Sequence, residues 1–189
     1  MLIFERSVTK EYWSAMHAYI MRRLQTGRYE PVGNTGVMHV FGGQTTCTYA
    51  IVVNGWPVAW LYLGRRPTWH AWEVRQVWVF PELRGHGLAS KIYRAAVNTH
   101  GIILASGKTQ SKTSRALWAR FVRLKTFDLY AIDFNDLDQR SQVWYEDGEI
   151  QSNLEVYTRT ASKEDVRLIA VRRRNEVHRP TKRHATKLD

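Results

Sequence analysis

Apolar positions along the chain switch between a period of two and a period of three to four, and the switches predict its elements. Residues 2–6 alternate weakly, as a short strand does. Thr9 can cap a helix over 9–25, in which Tyr12, Ala15, Met16, Tyr19, Ile20 and Leu24 recur at helical spacing. Residues 27–36 hold Pro31, Gly33 and Asn34 and read as a loop, followed by a strand over 37–41. Two further strands, 46–53 and 56–64, flank Asn54-Gly55, the strongest short hairpin signal. A long strand rich in Trp and Val spans 69–80. A helix over about 87–99 presents Ile92, Ala95 and Ala96 on one side, and Gly101 can end it. The wholly apolar run 101–105 suits a buried, parallel-type strand. A polar loop, 106–111, leads to a helix over 113–124 with Ala116, Leu117, Phe121 and Leu124 on its apolar side. A strand over 127–133, a hairpin over 142–158 around Asp147-Gly148 and a last strand over 166–171 complete the pattern. Strands and helices interleave and must share one core, so the fold class is α/β or α+β.

The chemistry concentrates where the long strand ends. Val77, Trp78 and Val79 lead through Phe80-Pro81 into Arg84-Gly85-His86-Gly87-Leu88-Ala89-Ser90, where a helix begins. The first N–H groups of a helix lack internal partners, and its dipole favours negative charge there. Glycine lets a phosphate approach the backbone, and Arg84 adds a fixed cation. The turn is no Walker A loop, because no Gly-Lys-Ser/Thr follows, and no acidic residue closes a dinucleotide fingerprint about 20 residues on.

This block resembles the acyl-CoA signature of the GCN5-related N-acetyltransferases: Gln or Arg, two residues, Gly, one residue, then Gly or Ala. Arg84, Gly87 and Ala89 satisfy it. The resemblance covers roughly residues 2–134 and implies a mixed central sheet flanked by helices, with extra C-terminal strands beyond it. On that basis 1–171 forms one domain, with a core over 2–134, a strand extension over 135–171 and a basic tail over 172–189. The resemblance also implies acetyl-CoA or another acyl-CoA as cofactor and an amine as acceptor. Val77, Trp78 and Val79 would pair with the pantetheine arm through main-chain groups, with an N–H near Val79 as oxyanion donor. Arg84, Gly85, His86, Gly87, Leu88 and Ala89 would cradle the pyrophosphate, with Ser90 in the first helical turn and Ser111 or Ser114 within reach of the arm.

Glu73 stands where members with a glutamate base place it. Strict alternation sets Glu73, Arg75, Val77 and Val79 on one face, with Arg75 lowering the carboxylate pKa. His70, on the other face, is an alternative base if the strand bulges. The tyrosine that such enzymes use as general acid is absent: Val122 stands four residues before Thr126-Phe127. Tyr93 and Tyr130 are further candidates without a place. The seven histidines show no paired ligand spacing, and Asp133, Asp136 and Asp138 lack the glycine and closing glutamate of a calcium loop, so no metal is expected.

Composition adds a partner question. The net charge of +11 suggests an acidic partner. Arg167, Arg172, Arg173, Arg174, Arg179, Lys182, Arg183 and Lys187 face only Glu176 and Asp189 in 166–189, so the C-terminal stretch is a candidate contact for a nucleic acid or an acidic protein. A nucleic-acid-binding or host-interaction protein on the same fold, with weak or no turnover, is therefore the alternative function. Most of the eight tryptophans suit a core. The single Cys47, the absence of a secretion leader and of any membrane-length apolar run lead to the expectation of a cytoplasmic protein without membrane contact.

Overall fold

In the computed structural model, residues 10–26, 30–31, 38–66, 70–107, 110–133, 136–146, 149–152 and 166–173 are described. Helix α1 (Lys10–Gln25) is followed by β1 (Glu30–Pro31), β2 (Met38–Gly42), β3 (Thr46–Val53), β4 (Trp56–Arg66) and β5 (Ala71–Val79). Then come α2 (Leu88–Arg94), β6 (Leu104–Ala105), α3 (Lys112–Arg123), β7 (Asp128–Asp133), β8 (Asp136–Glu146), β9 (Glu149–Ser152) and β10 (Val166–Val171). The expected strand over 2–6 and the cap at Thr9 lie outside the described residues, as does the tail from 174 onward.

The strands form one mixed sheet in the order β1-β2-β3-β4-β5-β6-β10-β7-β8-β9, with helices against it. Among the described strands, only β5 and β6 pair in parallel, as the apolar run before Ser106 suggests. Asn54 and Gly55 both take positive φ, +50° and +78°, the backbone of a two-residue hairpin turn whose twist matches its strands. The 87–99 helix changes character midway: after Arg94 the turn Ala95–Thr99 is π-helical. The second hairpin starts earlier than its pattern, at Asp136, and closes at Glu146↔Glu149.

Two packed layers fill the sheet's faces. On one, Tyr49, Leu61, Leu63 and Val74 meet Ile92, Tyr93 and Ala96 of the α2 segment and Trp118 and Phe121 of α3. On the other, Phe41, Ala50 and Trp60 meet Ile20 of α1. Both helical sides follow from residues spaced three and four apart.

Two expectations are corrected. Strand β10 does not extend a finished core at its edge. It lies between β6 and β7 and runs antiparallel to both, so a core bounded at 134 lacks a strand from its middle. Strict alternation along β5 also fails. Tyr62 pairs with Gln76 but Leu63 pairs with Val74, so Arg75 is an extra, bulged residue. Side-chain parity inverts there. Val74, Val77 and Val79 pack on the α2–α3 layer, while Gln76 contacts Trp60 and Trp78 packs with it on the α1 layer.

Candidate active site

The site begins where two strands part. Strands β5 and β6 pair only at Trp72↔Leu104 and Glu73↔Ala105. Beyond Glu73, no described strand covers that edge of β5. Phe80 N–H donates to Val58 O across β4 at 2.9 Å. By alternation, Trp78 turns its main-chain groups to β4 as well, and Val77 and Val79 turn theirs to the open edge. Val79 O accepts a bond from Arg84 Nε at 3.3 Å on that side.

The turn after β5 is shaped locally. Pro81 opens a single 3-10 turn, closed by Leu83 N–H to Phe80 O (2.9 Å) and Arg84 N–H to Pro81 O (3.2 Å). Gly85 and Gly87 then take φ of +85° and +76°, where an L side chain is strained. A Cβ on either would meet nothing within 4 Å, so conformation, not crowding, requires glycine, and open space lies above the turn. Gly87 is the N-cap of α2, and no side chain caps it.

The second wall is α3. Ser111 caps this helix, its Oγ accepting from Ser114 N–H at 3.1 Å. A cleft of about 900 Å³ lies between β5, the glycine turn and the N-terminal half of α3. Val77–Val79, Leu83, Leu88, Ala89, Ala116 and Leu117 give it an apolar lining, and the hydroxyl-bearing Ser90, Ser111, Thr113 and Ser114 add polarity. Arg84, Lys112 and Arg120 border it, and among the described residues no carboxylate does. An elongated, partly apolar ligand with anionic groups suits such a lining.

The structure brings together most of the residues marked in the sequence: Val77, Trp78, Val79, Arg84, Gly85, Gly87, Leu88, Ala89, Ser90 and Ser114 all border the cleft. His86 does not. It is exposed, and its Nδ1 lies 3.1 Å from Arg84 O within its own turn. Lys112, Thr113 and Arg120 were missed in the sequence, since only the docking of α3 beside the turn brings them to the cleft.

Glu73 is not part of this cleft. The bulge places it on the face opposite Val77 and Val79, buried, with three guanidinium groups around it. Arg66 Nε lies 2.6 Å from Oε2, Arg75 Nη2 3.2 Å from Oε2, and the fully buried Arg167 Nη1 2.9 Å from Oε1. Arg167 comes from β10 and also donates to Ser106 O at 3.2 Å. Burial raises the Glu73 pKa, but the hydrogen bonds from Arg66 and Arg167 and the charges of Arg167 and Arg75 outweigh it and hold it below the ordinary 4.5. His70 is exposed, with φ +50° just before β5. Tyr93 is buried against Trp118 and Phe121, away from the cleft, and burial raises its phenol pKa. Gln76, buried on β5, accepts from Trp60 Nε1 at 3.5 Å, while its Nε2 has no hydrogen-bond partner among the described residues.

No protein-family model matches the chain, and no curated protein matches it in sequence. Solved structures similar to it include an IAA acetyltransferase from Bacillus cereus (17% identity, 68% of this chain and 78% of that one, TM-score 0.38). A Bacteroides thetaiotaomicron protein described as a GNAT-family acetyltransferase is 12% identical over 86% of this chain and 84% of its own, with a TM-score of 0.39. Escherichia coli ElaA is 11% identical over 87% and 93%, with a TM-score of 0.40. Among the described residues, no helix is long and apolar enough to cross a membrane, and no group of three or more His, Cys, Asp or Glu is placed to hold a metal.

Proposed function

We propose that this protein binds an acyl-CoA in the cleft and transfers its acyl group to an amine. The observation that carries the reading is the open edge of β5, with Val77 and Val79 turned outward, ending in a positive-φ glycine turn flanked by Arg84, Lys112 and Arg120, with no carboxylate among the described residues that line the cleft. These residues fit the group chemically: main-chain donors and acceptors for an amide-bearing arm, an apolar wall for its methylenes, and cations with helix-start N–H groups for its phosphates.

When bound, an acyl-CoA supplies a thioester whose carbonyl an amine attacks. The outward N–H of Val77 or Val79 stands ready to donate to the oxygen that gains charge. Arg84 and the N–H groups of Leu88, Ala89 and Ser90 would hold phosphate oxygens, and Lys112 and Arg120 would neutralise the remaining charge. Glu73 serves as a structural counter-ion instead of the base, since its lone pairs are taken by arginines on the other face. Among the described residues, none bordering the cleft is a His, Glu, Asp, Tyr or Cys, which favours an amine that arrives already neutral and a thiolate that leaves without a side-chain acid. The same observation favours a second reading, acyl-CoA binding without turnover.

Calorimetric titration with acetyl-CoA, CoA and ATP tests the site. Micromolar binding of both CoA species without ATP binding is expected, with loss on Gly87→Glu through negative charge at the turn. Equal affinity of that variant overturns the assignment. Release of free thiol from acetyl-CoA in the presence of an amine panel separates transfer from binding alone.

A further inference from the structure

We infer that the exposed face of α2 and α3 is a docking surface for the phosphate backbone of a nucleic acid. Between Glu82 and Asp128 the chain contains no Asp or Glu, yet it holds Arg84, Lys91, Arg94, Lys108, Lys112, Arg115, Arg120, Arg123 and Lys125. This segment alone carries +9 of the +11 net charge. It supplies both helices of one layer, packed together through Tyr93, Trp118 and Phe121. Lys91, Arg94, Lys112, Arg115, Arg120 and Arg123 are exposed, and none is in an ion pair among the described residues.

The arrangement on α3 is directional. At about 100° per residue, Lys112, Arg115, Arg120 and Arg123 fall within roughly 140° of arc, opposite the buried Trp118 and Phe121. They span roughly 16 Å along the axis, the reach of several phosphates. A solvated helix face commonly interleaves acids with bases at i,i+4, and α3 has none. Its first turn carries Lys112 and then Arg115 and no acid, where the helix dipole disfavours cations. Arg120 and Arg123 in its last turn sit where the dipole welcomes cations, as Arg22 and Arg23 do in α1. An incoming polyanion would relieve the unfavourable placement of Lys112 and Arg115 at the start of α3.

Of the cations on α3, Lys112 and Arg120 also border the cleft. Arg94, Arg115 and Arg123 do not, so the surface extends past what one small anionic ligand needs. The partner's chemistry follows from what lies between the cations. Thr113, Ala116 and Ala119 offer no aromatic or large apolar anchor, and Leu124, the exposed large apolar side chain of this helix, stands at its C-cap, at the end of the cationic row. A protein interface requires such anchors at its centre and phosphate contacts do not. The apolar side of α3 is spent in the core, so it cannot insert into a lipid surface. The basic stretch beyond Arg172 is not needed for this surface.

The test is fluorescence anisotropy of the full chain with a mixed-sequence 20-bp DNA duplex and a 20-nucleotide RNA. Affinity for at least one is expected to fall about 100-fold between roughly 50 and 200 mM salt, as four phosphate contacts imply. Arg94→Glu/Arg115→Glu/Arg123→Glu should weaken binding at least about tenfold, while its acetyl-CoA affinity stays that of the native chain. The milder Arg115→Gln/Arg123→Gln should lower the log–log salt slope by about two. Absence of binding, native-like binding by both variants, or displacement by poly-glutamate as effective as by DNA overturns the inference. The acetyl-CoA arm reads the cleft separately, so failure there leaves this result interpretable.

Discussion

A single residue, Arg75, decides what Glu73 can do. Its insertion into β5 turns Glu73 away from Val77 and Val79 and into contact with Arg66, Arg75 and Arg167. Removing the charge takes away the carboxylate that three guanidinium groups share, one of them fully buried, so Glu73→Gln should cost about 3 kcal/mol, read from urea denaturation at pH 7. The folded pKa is depressed, so the carboxylate's contribution is complete above the unfolded value near 4.5 and is lost as pH falls through the folded value. The stability gap between native and variant should therefore close in acid, and a gap independent of pH would exclude this ion cluster as its source. Gly87→Ala places a side chain at φ +76° with nothing nearby to clash, so only conformation is penalised, by about 1–2 kcal/mol. Gly87→Asn should recover part of that, because Asn tolerates the left-handed region. At this scale the sequence was legible at Gly85 and Gly87 and misleading at Glu73. Glycine spacing announces a turn, but a bulge leaves no local mark, since Arg75 suits an unbulged strand equally well.

Elements were legible wherever their period was strong. The 54–55 hairpin and the strand, turn and helix around Arg84 lie close to their patterns. The two-residue β6 did not announce its shortness, because an apolar run of five reads as a longer strand, and that shortness is what frees the edge of β5. The cleft's second wall was equally hidden, as Lys112, Thr113 and Arg120 gain meaning only when α3 sits beside the glycine turn. The cap of α3 offers a clean separation of stability from binding. Ser111→Ala removes the acceptor for Ser114 N–H and should cost about 1 kcal/mol in thermal or urea unfolding. Ser111→Asp should keep the cap and stability but bring a carboxylate to the cleft, lowering acetyl-CoA affinity about tenfold in calorimetry. Retained affinity in the aspartate variant would place the anionic end of the ligand elsewhere.

At the scale of the molecule, the ten described strands close only when β10 returns to the middle of the sheet. Strand β10 pairs with β6 at two positions and with β7 along its whole length, and its Arg167 supplies a guanidinium to Glu73 on β5. A chain ending at residue 165 should therefore fail to unfold cooperatively, measured by circular dichroism against urea, and a native-like transition would contradict this role for β10. That late strand was legible as a strand but not by its place, since a period of two does not say which neighbours it will find. Its position also sets the order of events during synthesis. Until Val171 has been made, β6 and β7 each present an unpaired edge, and Glu73 waits for its most buried partner. Open edges in a growing chain invite pairing with other chains. Slow translation between Asp133 and Val171, or crowding of many ribosomes on one message, should therefore lower the soluble yield of this protein more than that of one whose corresponding strand lies at a border.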